Sequence, residues 1–389
     1  MTSLNREGGS MNKNITVFGA GLVGHEIVRD LAKDEKYHIT VFDKDASKLT
    51  QFEGIDKLEV RHVDLVIETD FTELLKGIDL VISAVPGFMG FETLLKIIKT
   101  GTNVVDIAFF PEDPFPLNEF AKEQNVTAVI DCGVAPGLCN IILGYQNAQM
   151  DDITRYECYV GGLPKVRKMP FQYKAGFSPI DVLEEYIRPA RFIEFDKEII
   201  KPALSDIEHI EVPGVGTLEA FNTDGLRTLL RTVQIPFMKE KTLRYPGHAQ
   251  IMKVLRDNDF LSYKEMDVNG KKIKPIEMTS KLLFKNWQFA QGEEDITIMR
   301  VIIDGKKGDS NYSFTYDLLD SYDKKTGTTS MARTTGYTCT AVARLLLQEK
   351  KLPKGICPPE YIGMDESNYN FIINKLAERN VVLHKKETV

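Results

Sequence analysis

One short stretch limits what this chain can fold into more than any other. Gly19-Ala20-Gly21-Leu22-Val23-Gly24 follows directly on the apolar, β-branched run 15–18. Glycines at these spacings, between a strand and a helix, have distinct physical uses: a tight turn, a close approach of backbone to a diphosphate, and close packing of helix on strand. The helix that opens there presents free N–H groups and the positive end of its dipole to an anion. The motif therefore predicts Gly19, Gly21, Leu22, Val23 and Gly24 as a diphosphate cradle.

The surrounding sequence repeats the same unit. Runs 15–18, 38–42, 58–60, 80–83, 103–106 and 127–130 read as strands, and 23–33, 46–52, 69–75, 88–99 and 117–123 read as helices between them. That alternation predicts an α/β domain of the Rossmann type, a doubly wound parallel sheet with helices on both faces. Asp43 ends the second strand roughly 20 residues past the last glycine, where a carboxylate binds the adenosine ribose and repels a 2′-phosphate. The expected cofactor is NAD, with Lys44 and Asp64 as further contacts. Sheets of this kind bind ligands beyond the carboxyl ends of their strands, so Ala84, Val85 and Pro86, then Asp106 and Asp131, are expected around the nicotinamide.

After residue 131 the rhythm changes. Runs 155–161, 207–212, 218–222, 242–245, 296–303 and 312–318 are strand-like with few helices between them, which predicts an α+β substrate domain with a mostly antiparallel sheet. The expected division is a disordered extension at 1–10, a cofactor domain at 11–131, a substrate and dimerisation domain at 132–330, and a C-terminal helical segment at 331–389 that packs back on the first domain. A net charge of −7 without a cationic block argues against nucleic acid as a partner. No apolar stretch approaches the ~20 residues of a membrane span. The five cysteines form no CxxC pair and have no histidine at ligand spacing, so the expectation is reduced thiols in a cytoplasmic protein without a metal.

Later motifs are narrower. Asp131-Cys132-Gly133-Val134-Ala135-Pro136-Gly137-Leu138-Cys139-Asn140, the segment 159–164, the segment 216–221, the run ending in Tyr245-Pro246-Gly247-His248 and the segment 331–337 together resemble the saccharopine dehydrogenase-like family, most of all its lysine 6-dehydrogenase branch. The resemblance runs from about residue 14 to 363. It implies oxidation of the ε-amine of L-lysine to 2-aminoadipate 6-semialdehyde and ammonia by hydride transfer to NAD, in a homo-oligomer, dimeric or tetrameric, whose other partner is a small amino acid. The alternatives are a saccharopine dehydrogenase or reductase using NAD or NADP, and a non-catalytic NAD-binding regulatory protein.

Such a reaction needs a group to take a proton from the substrate ammonium, whose reference pKa is near ~10.4. Asp131, Asp106 and His248 are the candidates, the first two as strand-end carboxylates and the last for its titration near ~6.5. Arg244 suits a bidentate grip on a substrate carboxylate. Thr223 and Asp224 are expected at the α-ammonium, with Tyr159 and Asn140 as orienting hydrogen-bond partners. Cys132 reads as a packing thiol.

Overall fold

The computed structural model describes residues 12–68, 70–348 and 352–389; the expected extension at 1–10 lies outside the described residues. Six strands, β1 (Lys13–Phe18), β2 (Tyr37–Asp43), β3 (Leu58–His62), β4 (Leu80–Ser83), β5 (Asn103–Asp106) and β6 (Thr127–Val129), are joined by a late strand, Gly355–Cys357, in a seven-stranded sheet. Its order is Gly355–Cys357, β6, β5, β4, β1, β2, β3, with every pairing parallel. The chain thus winds outward from β1 in both directions, and the reversal places a crevice at the ends of β1 and β4.

Both faces of the central strands β1, β4, β5 and β6 are buried, which explains why they read as nearly unbroken apolar runs, whereas the edge strand β3 is largely exposed. Val17, Ile82 and Val105 join one core with Ile27 and Val28 of the helix Leu22–Leu31, while Phe18, Val81 and Val104 join another with Leu94 and Ile97 of the helix Gly87–Lys99. Of the helix expected at 69–75, residue 69 lies outside the described residues and the rest does not form; residues 72–77 make turns, with Thr72 N–H and Oγ1 bonded to Asp70. Aspartate and threonine offered the backbone a local alternative to helix.

The second sheet is mixed. Its main path runs Glu208–Val212, Gly216–Asn222, Phe237–Arg244, Asp152–Pro164, Asp295–Lys307, Ser310–Ser321 and Leu383–Thr388, with two more strands branching from Phe237–Arg244. Phe237–Arg244 and Asp152–Pro164 pair in parallel, and the remaining pairings are antiparallel. The helix Ser330–Leu347 returns to the helix Leu22–Leu31, where Arg344 grips Asp30 at 2.6 Å and Asp34 at 2.7 Å. Among the described residues, no helix is long and apolar enough to cross a membrane.

Candidate active site

A cavity of about 900 Å³ lies between the carboxyl ends of the parallel sheet and one face of the mixed sheet. At one end is the glycine loop. Gly19 holds φ +97°, and a Cβ at Gly24 would fall 2.0 Å from the carbonyl oxygen of Gly19, so the loop closes only without side chains at both positions. Nothing lies within 4 Å of where a Gly21 Cβ would be, and the helix Leu22–Leu31 starts there without a side-chain cap. Open space above uncapped N–H groups is what a diphosphate requires. Leu22, Val23, Ala84, Val85 and Pro86 also line this part of the wall.

Asp43 lines the cavity beside the glycine loop. One carboxylate oxygen accepts from Ala20 N–H at 2.7 Å and the other from Asp45 N–H at 2.8 Å, which ties the end of β2 to the glycine loop. The arrangement fits a pyridine dinucleotide: open backbone for the diphosphate and an oriented carboxylate for the sugar. Lys44 and Asp64 do not reach the cavity. Lys44 is exposed and uses its carbonyl on His62 Nε2, and Asp64 turns back to bond Val66 N–H at 3.0 Å. Lys48 and Gln51, from the next helical turns, line the wall instead. Helical geometry, not adjacency in sequence, brings Lys48 beside Asp43's end of the cavity.

Of the three groups expected to titrate, one faces the cavity. Asp131, at φ +52°, lines it and receives two 2.8 Å bonds from Nε of Arg227. Arg227 also donates to Phe110 O and lies over the rings of Phe109 and Phe110, so its charge is committed to fixing Asp131. Asp106 stands behind the wall formed by Ile107 and Ala108, wholly buried; burial first, then the charge of Asp131, pushes its carboxyl up to about 8. Behind that wall it does not reach the cavity in which the expected base would act.

His248 departs furthest from expectation. Its ring is enclosed by Tyr173, Tyr186 and Trp287, with Nδ1 2.8 Å from Phe171 O and Nε2 2.9 Å from Tyr186 Oη. Burial, and then Arg244, hold its pKa down at about 3. The network assigns the proton to Nδ1, so the neutral ring accepts from Tyr186, whose oxygen in turn accepts from Arg244 Nε at 3.1 Å. His248 therefore props the tyrosine that props Arg244, and does not touch the cavity.

Arg244 does line the cavity. It stacks over Tyr173 and bonds Glu185 at 2.6 Å, and that acid, raised by burial against the pull of Arg244, faces the same space. Thr223 and Asp224 are at the wall too, with Thr223 Oγ1 3.0 Å from Thr242 Oγ1 and Asp224 paired to Arg191 at 2.8 Å. Tyr159 is not. The pleat of Asp152–Pro164 turns Val160 toward the cavity and Tyr159 to the opposite face, where its hydroxyl meets Glu157 and Glu208. Asn140 is also elsewhere: it caps its own helix through Gly137 N–H at 3.1 Å and reaches Glu360 at 3.1 Å. Cys132 is buried, and burial raises its thiol well above the usual range.

Sequence reasoning named Arg188 only as a possible further clamp and missed Asp181, Glu184, Glu185 and Glu240; all five stand at the wall. The first four lie on or just after the helix Pro179–Ile187, which the sequence reading left unassigned. Glu240 sits between two lysines, a pattern that reads as a solvated edge; only the period-2 alternation of Met238, Glu240, Thr242 and Arg244, all buried, reveals the shared inward face.

A parallel sheet with a dinucleotide cradle, closed over by a mixed sheet that supplies polar groups, defines a two-domain protein of the pyridine-nucleotide-binding class. The family descriptions that match are "Saccharopine dehydrogenase NADP binding domain" over residues 15–129 and "Saccharopine dehydrogenase C-terminal domain" over residues 133–382. The chain belongs to the saccharopine dehydrogenase family. It is 23% identical over 260 residues to the mitochondrial alpha-aminoadipic semialdehyde synthase of Mus musculus, covering 62% of this chain and 28% of that protein. It is 22% identical over 279 residues to the saccharopine dehydrogenase [NADP(+), L-glutamate-forming] of Saccharomyces cerevisiae, covering 68% of this chain and 62% of that one. The chain thus spans less than two thirds of either relative. The apo saccharopine dehydrogenase (L-Glu forming) structure from Saccharomyces cerevisiae shares the fold, with a TM-score of 0.77 at 17% identity over 97% of this chain and 100% of that one.

Proposed function

We propose that this protein is a pyridine-nucleotide-dependent amino-acid dehydrogenase that oxidises the ε-amine of L-lysine with NAD. Lysine, NAD⁺ and water would yield 2-aminoadipate 6-semialdehyde, NADH, ammonium and a proton. A nicotinamide bound beyond β4 and β5 supplies the hydride acceptor. The observation that carries the reading is the charge of the substrate half of the cavity. Asp131, Asp181, Glu184, Glu185, Asp224 and Glu240 line it, against Arg188 and Arg244.

Both arginines are already held by acids, Arg188 by Glu184 at 2.9 Å and Arg244 by Glu185 at 2.6 Å. An acid-rich, low-dielectric wall favours a substrate with more ammonium than carboxylate groups. Lysine has two of the former and one of the latter. Arg188 and Arg244 stand ready for its carboxylate with their remaining N–H donors. Asp131, the one expected base that faces the cavity, accepts the proton that the reacting ammonium must lose before hydride can leave.

A second reading, oxidation of saccharopine with NADP, is supported by the names of the relatives and by Lys48 at the ribose end. It asks three carboxylates to share two arginines, because Arg227 is spent on Asp131 and Arg231 pairs outside with Asp113. Initial rates with L-lysine plus NAD⁺, and with saccharopine plus NADP⁺, separate the two. We expect nicotinamide reduction with lysine alone; turnover confined to saccharopine would reverse the order, and turnover of neither would refute both.

A further inference from the structure

Five of the six acids in the substrate half of the cavity are engaged by the protein: Asp131 by Arg227, Asp181 by Gly87 N–H, Glu184 by Arg188, Glu185 by Arg244 and Asp224 by Arg191. Glu240 is the exception. It is 6% exposed, and among the described residues its carboxylate receives no hydrogen bond and pairs with no cation. The backbone makes room for it: at Gly225 a Cβ would lie 1.8 Å from Oε1 and 2.3 Å from Oε2. The thiols of Cys139 and Cys158 complete its surroundings, all three ligand atoms lying within 4.8 Å of one another.

A carboxyl that lines the cavity without a donor from the protein is left free for the donors of a ligand. Burial first, then Cys139, Glu185 and Asp224, push this carboxyl above the carboxylate range, and a cation bound beside it would favour its charged form. Its position selects which cation. Glu240 belongs to the mixed sheet, whereas Asp131, at the end of β6, belongs to the cofactor sheet beside which oxidation must occur.

We propose that Glu240 is the recognition point for the α-ammonium of the amino-acid substrate, a residue that sets specificity without taking part in hydride transfer. The proposal rests on the dehydrogenase reading above. Its test compares L-lysine with 6-aminohexanoate, which keeps the reacting amine and the carboxylate but lacks the α-amine, in wild type, Glu240→Gln and Glu240→Asp. Wild type should prefer lysine at least tenfold in kcat/KM. Glu240→Gln should erase that preference through KM for lysine, with 6-aminohexanoate unaffected, and Glu240→Asp, which preserves the charge, should retain part of it.

Equal losses on both substrates in Glu240→Gln would overturn the proposal while leaving the reaction intact. Stoichiometric zinc in purified wild type that Glu240→Gln lacks would also overturn it, by making Glu240, Cys139 and Cys158 a metal centre. If wild type oxidises saccharopine and not lysine, the lysine reading falls, and the proposal survives only if Glu240→Gln raises KM for saccharopine tenfold or more. Turnover of neither refutes the reading and the proposal together.

Discussion

At the scale of single residues, identical chemistry is put to opposite uses by burial. Asp43 and Asp106 both end strands of one sheet, yet one lines the cavity beside the glycine loop and the other is sealed behind Ile107 and Ala108. Replacing Asp43 by Ala removes the charge that would repel a 2′-phosphate and leaves Lys48 in place. We expect the NADP-to-NAD ratio of kcat/KM to rise at least tenfold, equivalent to about 1.4 kcal/mol, and an unchanged ratio in steady-state assays would refute the ribose role. Asp106, with a folded pKa of about 8 against an ordinary value of 3.8, stays protonated in the fold at pH values where the unfolded chain has released its proton. The folded state then binds the extra proton, so stability falls as pH rises from about 4 to about 8. Asp106→Asn removes that dependence. Its melting temperature relative to wild type should climb between pH 5 and pH 8, with a gain on the order of 1 kcal/mol per pH unit at most; a pH-independent difference would show that the carboxyl is ionised. His248, held near 3, cannot supply a limb to the activity profile at neutral pH. His248→Gln should lower stability by about 1–3 kcal/mol through the lost links to Phe171 and Tyr186, with the apparent pKa of kcat/KM unmoved; disappearance of that pKa would restore the histidine as base.

At the scale of elements, legibility in the sequence followed the strength of periodic patterns. β4 and β5 fall where they were expected, because strands covered on both faces carry consecutive apolar residues, Leu80 to Ile82 and Val104 to Val105, with polar residues only at their ends. Gly355–Cys357 escaped notice because three residues carry no period, and Phe237–Arg244 was read only at its end because Lys239, Glu240 and Lys241 disguise a buried face. The candidate site was legible where a motif dictates backbone, at the glycine loop and Asp43. It was illegible where side chains converge from distant segments, as with Arg227 on Asp131. His248 and Asn140 were misplaced for a related reason: a polar residue in a distinctive motif supports its neighbours as readily as it meets a ligand. The contact of Ser330–Leu347 with Leu22–Leu31 offers a test at this scale. Asp30 is fully buried, and although burial pushes its carboxyl upward, Arg344 and Arg379 more than offset this and hold it low. Arg344→Met leaves Arg379 at 2.7 Å as the main partner and should cost about 3 kcal/mol. Because Leu22–Leu31 begins at the glycine loop, calorimetric affinity for the dinucleotide should fall with it. Full stability in urea titrations would show that Arg379 alone satisfies Asp30.

At the scale of the whole molecule, the last residues of the chain join two units that the sequence alone separates near residue 131. Gly355–Cys357 pairs with β6 at the edge of the cofactor sheet, while Leu383–Thr388 pairs with Ser310–Ser321 in the mixed sheet. Between them, Glu360 receives Asn140 Nδ2 at 3.1 Å and Thr232 Oγ1 at 2.6 Å, so one buried acid from this segment ties together two helices of the second unit, Leu138–Gln149 and Leu229–Thr232. The ion pair of Arg227 with Asp131 at 2.8 Å crosses from the second unit to the first. A cavity walled by two sheets keeps its shape only while these ties hold, which predicts that the two halves melt together. Scanning calorimetry should give one transition for the full chain. Removal of residues 352–389 takes a strand from each sheet and leaves Asn140 without its acceptor, and it should abolish cooperative melting of both halves. Retention of a folded cofactor domain that still binds NAD after that truncation would show that the parallel sheet stands alone and that the C-terminal segment serves the mixed sheet only.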